Sequence, residues 1–179
     1  CMLHGLCDTN VAHGGACMKL FTGSESLIRP SMGSWVSYGL GSENQNLPSF
    51  ITICPTSLHG GVDNFGSAFL PNMHQGVPLG TPGYPNTPAK DARFEFLKNE
   101  NRSRRQQRIL LDQLKHINKQ HQKQAGRNPQ LEARIQSFEM AFRMQTEAPE
   151  VMNLADETDA TLNLYGYDDP TTKNFAHQL

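Results

Sequence analysis

The chain has 179 residues and a net charge of −1. That length suffices for one domain with a real core, and the bulk charge gives no pull toward nucleic acid or a membrane surface. No apolar run approaches the roughly 20 residues of a membrane span, and no basic-then-apolar leader stands at the start.

The first expected element is a buried strand over Cys1-Met2-Leu3-His4-Gly5-Leu6. A turn at His13-Gly14-Gly15 follows, and then a short helix in which Ala16, Cys17, Leu20 and Phe21 share an apolar face and Gly23 caps the C-terminus. Such an elbow aims free backbone N–H groups and partial positive charge at whatever lies above it, so it can hold an anion. On residue types alone, the simpler reading is that the glycines let the chain turn and His13 is an ordinary polar residue. Cys1, Cys7, Cys17 and Cys54 show no C-x-x-C spacing and read as buried free thiols. Cys7, Asp8, His13 and Cys17 are all metal-binding types, but their spacing is too loose to specify a complete site.

Ser31 is an expected N-cap for a helix over Met32–Leu40 that stops at Gly41, with Trp35, Val36 and Leu40 on its buried face. Pro48–Pro55 is the clearest strand, apolar at nearly every residue and bounded by prolines, as a strand covered on both faces should be. Two such strands with helical segments between them suggest a parallel α/β sheet. Thr56–Pro88 carries no lasting periodicity and reads as a long functional loop or insertion; its histidines are His59 and His74. His74 reads equally well as a surface residue and as the wall of a site.

Composition changes near residue 88. Residues 1–88 hold 13 of the 15 glycines and only two basic residues, Lys19 and Arg29, whereas 89–179 hold 14 basic and 13 acidic residues. Within one domain spanning 1–179, the first part is therefore strand- and loop-rich and the second mainly helical. Asn101–Gln124 is a basic helix with a Leu110, Leu114, Ile117 stripe widened by Ile109 and Leu111. It lacks aromatic residues for base stacking, so its charges read as a solvated face and not as a nucleic-acid surface. After the break at Gly126, Asn128 caps a second helix with Pro129 in its first turn. That helix buries Leu131, Ile135, Phe138 and Phe142, with Met140 and Met144 as core filler. The two helices should form a hairpin. Pro149–Leu154 adds a further turn, and Asp156–Pro170 is an acidic loop around Tyr165-Gly166-Tyr167. The chain opens on Cys1 and closes on Phe175–Leu179, which reads as a helix opening, so it is expected to be an internal part of a longer protein.

Four strings are highly specific: Arg29–Pro48 (RPSMGSWVSYGLGSENQNLP), Phe69–Gly76 (FLPNMHQG), Arg134–Gln145 (RIQSFEMAFRMQ) and Leu164-Tyr-Gly166. They resemble an uncharacterised bacterial family, abundant in planctomycete-type marine bacteria, often labelled sulfatase and grouped with the alkaline phosphatase/sulfatase superfamily. The resemblance implies a partial alkaline-phosphatase-like α/β fold, mostly a parallel sheet flanked by helices, with metals and nucleophile at the carboxyl ends of strands. Leu20-Phe-Thr-Gly23 matches the run that closes the nucleophile helix in sulfatase-type relatives, which places His13 at the nucleophile-like position. Family members usually show Asn-His followed by Asp and Pro, whereas this chain has Ala12-His13-Gly14-Gly15. A histidine cannot become formylglycine, but it can serve as metal ligand, phosphohistidine-forming nucleophile or general base.

By resemblance, then, His13 is the catalytic candidate, Asp8 and His13 are metal candidates, and Asn10, Gly14, Gly15 and His74 are substrate-binding candidates. The implied cofactor is a divalent metal, zinc, calcium or similar, in the full-length protein. Most of its ligands would lie before Cys1 and after Leu179, so this fragment would bind none and be inactive alone. The implied function is part of a metal-dependent hydrolase of phosphate or sulfate esters, exported, acting on a small-molecule or polysaccharide ester. The alternative is a non-catalytic exported binding or scaffold protein of the same fold.

Overall fold

A computed structural model describes Gly5 and residues 7–83, 88–95 and 97–178. The strand expected over Cys1–Leu6 lies outside the described residues except for Gly5, whose φ is +84°. The structure is mixed α/β, about half helical, with a two-stranded parallel sheet. The α-helices are α1 (His13–Thr22), α2 (Met32–Leu40), α3 (Arg104–Ala125), α4 (Pro129–Val151), α5 (Asp159–Leu164) and α6 (Lys173–Ala176), and the strands are β1 (Ile51–Ile53) and β2 (Val77–Leu79). Short 3₁₀ turns lie at Gly61–Phe65, Asn72–His74, Ala89–Asp91 and Leu154–Asp156.

Helix boundaries follow local chemistry. Gly23 ends α1 in the left-handed region, φ 75°, and its N–H donates to the Lys19 carbonyl. Ser31 accepts from the Ser34 N–H at the start of α2, and Gly41 ends it. Ser103 and Gln106 form a capping box at α3. Asn128 accepts from the Leu131 N–H at α4, whose first turn holds Pro129.

Burial departs from the expected pattern. The inner face of α2 is Ser31, Ser34 and Ser37, while Trp35, Val36 and Leu40 are exposed. The physical reason is a set of hydrogen bonds that only this face can make: Ser34 Oγ and the Ser31 N–H both donate to the Gly66 carbonyl, each at 3.0 Å. Leu20 and Phe21 of α1 are likewise exposed, and Thr22 is its buried residue. On the hairpin, Ile109, Leu110, Ile117 and Phe138 are exposed, and Asn118 is the buried residue of α3. The chain exposes 12779 Å² in all, against about 8,700 Å² for a compact monomer of this mass.

The sheet is parallel, as expected, but smaller and differently paired. Ile51, Thr52 and Ile53 stand in register with Val77, Pro78 and Leu79, so the partner strand comes from within the long loop. Ile51 and Ile53 are each 37 % exposed, so β1 is not covered on both faces. The strand ends at Cys54, a non-glycine residue with φ 46°. α5 occupies part of the expected acidic loop, and α4 runs through Pro149 to Val151.

The core lies between β2, the segment after Pro88 and α4. Phe94, Met144 and Ala148 are buried against Leu47, Val77, Leu79, Leu97, Met140 and Met152, and Cys54, Ala89 and Ala92 form a smaller cluster on Leu79. Phe50 is wedged between two glycines. A Cβ on Gly33 would collide with the Phe50 ring, and one on Gly76 would lie 2.9 Å from its Cε1. Gly33→Ala, despite the better helix propensity of alanine, is expected to destabilise the fold by about 1–3 kcal/mol, read as a lower urea midpoint. An unchanged or higher midpoint would show that Phe50 is free to swing aside.

The hairpin is held by Glu139 of α4. Its carboxylate accepts from Arg108 Nη1 at 2.8 Å and Nη2 at 2.6 Å and pairs with Lys115 Nζ at 2.8 Å. Arg108 also pairs with Asp112 at 2.7 Å. The Arg108 hydrogen bonds, assisted by Lys115, lower the Glu139 carboxyl from its ordinary 4.5 to about 2. A depressed carboxyl contributes stability that is present above pH 4.5 and is lost as pH falls toward 2. Glu139→Gln should therefore lower neutral-pH stability by about 1–3 kcal/mol, leaving Lys115 without its carboxylate and Arg108 with Asp112 alone. It should also flatten the loss of melting temperature below pH 4.5 relative to the native chain; parallel curves would exclude this carboxylate as the acid-sensitive group.

Candidate functional site

Two centres emerge. The first is the elbow. α1 begins at His13 after Ala12, which makes no side-chain capping bond, and its first turn holds no acidic residue. The first intrahelical bond runs from the Ala16 N–H to the Ala12 carbonyl at 3.0 Å. The N–H groups of His13, Gly14 and Gly15 therefore have no acceptor within the helix. The His13 ring lies 5.1 Å from the His59 ring, tilted by 47°. Two imidazoles and an uncapped helix N-terminus thus share one place on the surface, and both rings can donate to an anion.

The residues before the helix shape this entry. Asn10 Oδ1 accepts from the Ala12 N–H at 2.8 Å, and its amide donates to Glu25 at 2.7 Å. Asp8 accepts from the Asn10 N–H at 3.0 Å and pairs with Lys19 at 2.9 Å. These two bonds, the backbone one first, lower the Asp8 carboxyl below its ordinary value. Asp8 is thus engaged by a cation, and among the described residues no three His, Cys, Asp or Glu side chains gather as a metal site.

The second centre is a groove of about 720 Å³ between the end of α2, the 41–49 segment, the Asn72–His74 turn with β2, and α4. Its apolar wall includes Met73, Val77, Phe94, Leu97, Met140 and Met144, and its polar wall includes Ser37, Ser49 and His74. Ser37 Oγ lies 2.9 Å from His74 Nδ1 and is also hydrogen-bonded to Ser49 Oγ. The Tyr38 and His74 ring centroids lie 5.3 Å apart with the planes at 86°, and burial holds His74 below its ordinary pKa. On the opposite wall, Arg143 Nε donates to the Gln45 carbonyl at 2.7 Å.

A family model described as a protein of unknown function, DUF1501, matches residues 1–179. The chain belongs to the DUF1501 family. No curated protein and no solved structure matches it.

The DUF1501 chain thus brings His13, Gly14 and Gly15 together at the elbow, with Asn10 and Asp8 immediately before it. His74 lines the groove, whose walls include none of those five residues. Sequence reasoning did not place His59 or the two serines at a site. For Ser37 there was a signal: Ser31, Ser34 and Ser37 recur at helical spacing on one side of α2. Nothing local announces that His59, 46 positions after His13 (59 − 13), sits beside it.

The two elbow glycines differ in what they permit. A Cβ at Gly14 would make an ordinary 3.7 Å contact with the His59 Cα, whereas one at Gly15 would collide with the Asn10 side-chain amide. Gly14→Ala should keep or raise the melting temperature of this DUF1501 chain, since alanine favours the helix. Gly15→Ala should lower it and speed exchange of the Ala12 amide, as Asn10 loses its bond to that group. Equal behaviour of the two variants would contradict this geometry.

Proposed function

We propose that this DUF1501 chain is part of a hydrolase of phosphate or sulfate esters of alkaline-phosphatase-like fold, with the ester's anion held at the elbow. The observation that carries the reading is the uncapped N-terminus of α1 with the paired rings of His13 and His59 beside it. Tetrahedral oxyanions accept several hydrogen bonds at once, and free N–H groups of a first helical turn match that need. Two imidazole N–H groups add donors that are strengthened when the rings are charged. The specific strings shared with the sulfatase-labelled family support the same reading, as does the parallel pairing of β1 and β2.

In this scheme the backbone N–H groups orient the ester's oxygens, and His13 accepts or donates a proton at the scissile bond. The divalent metal that the family resemblance implies would supply Lewis-acid chemistry. The described residues do not fit such an ion: they hold no cluster of three ligand types, and the Asp8 carboxylate already faces Lys19. The reading extends to an exported protein acting on a small-molecule or polysaccharide ester.

A second reading, an anion-binding or scaffold protein of the same fold, is favoured by the first turn itself. His13-Gly14-Gly15-Ala16 offers no Cys, Ser or Thr as an oxygen or sulfur nucleophile.

Calorimetric titration of inorganic sulfate and phosphate tests the anion site. Binding is expected, weakened about tenfold in His13→Ala, which is about 1.4 kcal/mol. Saturation unaffected by that change, or no binding, removes the elbow from the site. Turnover of p-nitrophenyl phosphate or sulfate by the whole protein, lost in His13→Ala, supports the hydrolase; anion binding without turnover supports the scaffold.

A further inference from the structure

We infer that the groove beside α4 is a second reactive site, in which Ser49, Ser37 and His74 form a hydroxyl relay that hydrolyses carboxylic esters of apolar acids. It stands independently of the elbow. Three separate segments converge to make it: Ser49 precedes β1, Ser37 sits in the last turns of α2, and His74 closes a 3₁₀ turn. Ser37 is 2 % exposed and cannot itself meet a substrate, but Ser49 is exposed and lines the groove. A nucleophile hydrogen-bonded to a base, opening on a cleft, is the arrangement that acyl transfer requires.

The direction of the relay comes from donor capacity. With the His74 proton on Nε2, Nδ1 accepts from the Ser37 hydroxyl, and Ser37 Oγ accepts from Ser49. Burial disfavours the charged imidazole, which leaves the Nδ1 lone pair to take a proton, and the Tyr38 ring packs nearly perpendicular to it. The groove volume of about 720 Å³ suits a small ligand. The pliable Met73, Met140 and Met144 together with Phe94 and Leu97 suit an apolar acyl chain.

The chemistry balances without a further reactant except water. Ser49 Oγ attacks the acyl carbonyl carbon, forming an O–C bond as the carbonyl π pair moves to oxygen. The Ser49 proton passes to Ser37, whose own proton passes to His74 Nδ1. Collapse breaks the bond to the leaving alkoxide, which takes the His74 Nε2 proton through a water in the groove and departs as an alcohol. Water, giving a proton back to Nε2 by that path, then cleaves the acyl-serine to a carboxylic acid, while Ser49 Oγ regains its proton from Ser37 and Ser37 from Nδ1.

The test combines labelling by a fluorophosphonate probe, located by peptide mass mapping, with turnover of p-nitrophenyl butyrate. The probe is expected on Ser49, absent in Ser49→Ala and restored on the new side chain in Ser49→Cys. Butyrate turnover should fall about 100-fold in His74→Gln. Because Ser49 is a surface residue, the Ser49→Ala and Ser49→Cys pair decides the matter even if His74→Gln does not fold. No labelling of the native chain, labelling that persists in Ser49→Ala, or turnover indifferent to all three changes would mean that the three side chains are only a structural hydrogen-bonded seam.

Discussion

The Gly66 carbonyl accepts from the Ser31 N–H and from the Ser34 hydroxyl, and much of the first half of the molecule is arranged by that double bond. A carbonyl has two lone pairs, and here both are used by one helix, so α2 cannot rotate about its axis without losing them. The same orientation carries Ser37, one turn on, to His74 and Ser49. It also sets Gly33 against Phe50, whose carbonyl receives the Val77 N–H that starts the sheet. A buried polar seam of this kind is stringent: satisfied, it selects one arrangement, and a missing member leaves its neighbours unpaired.

The molecule therefore carries two polar centres of unlike chemistry. The elbow is open and rich in donors, with Asp8 neutralised by Lys19, and it suits an anion. The groove is mostly apolar, with one imidazole and two hydroxyls on a single wall, and it suits a neutral molecule with an apolar body. The hairpin of α3 and α4 supplies the far wall of the groove, and the Arg108–Glu139–Lys115 cluster fixes how those helices meet.

Local chemistry was legible in the residues wherever a structure decision is local. Gly23, Ser31, Gly41 and the Asn128-Pro129 pair each stop or start a helix through bonds made within four residues. Decisions made at long range were not legible. Trp35, Val36 and Leu40 look like a buried face until Gly66, some 30 positions away, claims the serine side instead. β2 hides in a loop because it is three residues long with a proline at its centre, which no alternation rule recognises. His13 was visible at the elbow, but its partner His59 was not, since ring proximity across 46 positions (59 − 13) leaves no trace in spacing.

The proline in β2 has an outcome for how the sheet could extend. Val77 donates its N–H to β1 and Leu79 offers its carbonyl to Cys54, so the residue between them turns its backbone to the other edge. That residue is Pro78, which has no N–H to offer. A strand arriving on the β2 side would find a gap in the ladder, whereas Ile51 and Ile53 alternate toward the far side of β1 with donors intact. The two-stranded sheet is therefore polarised for growth: it resists edge-to-edge association on one flank and leaves the other as the flank on which further strands can pair.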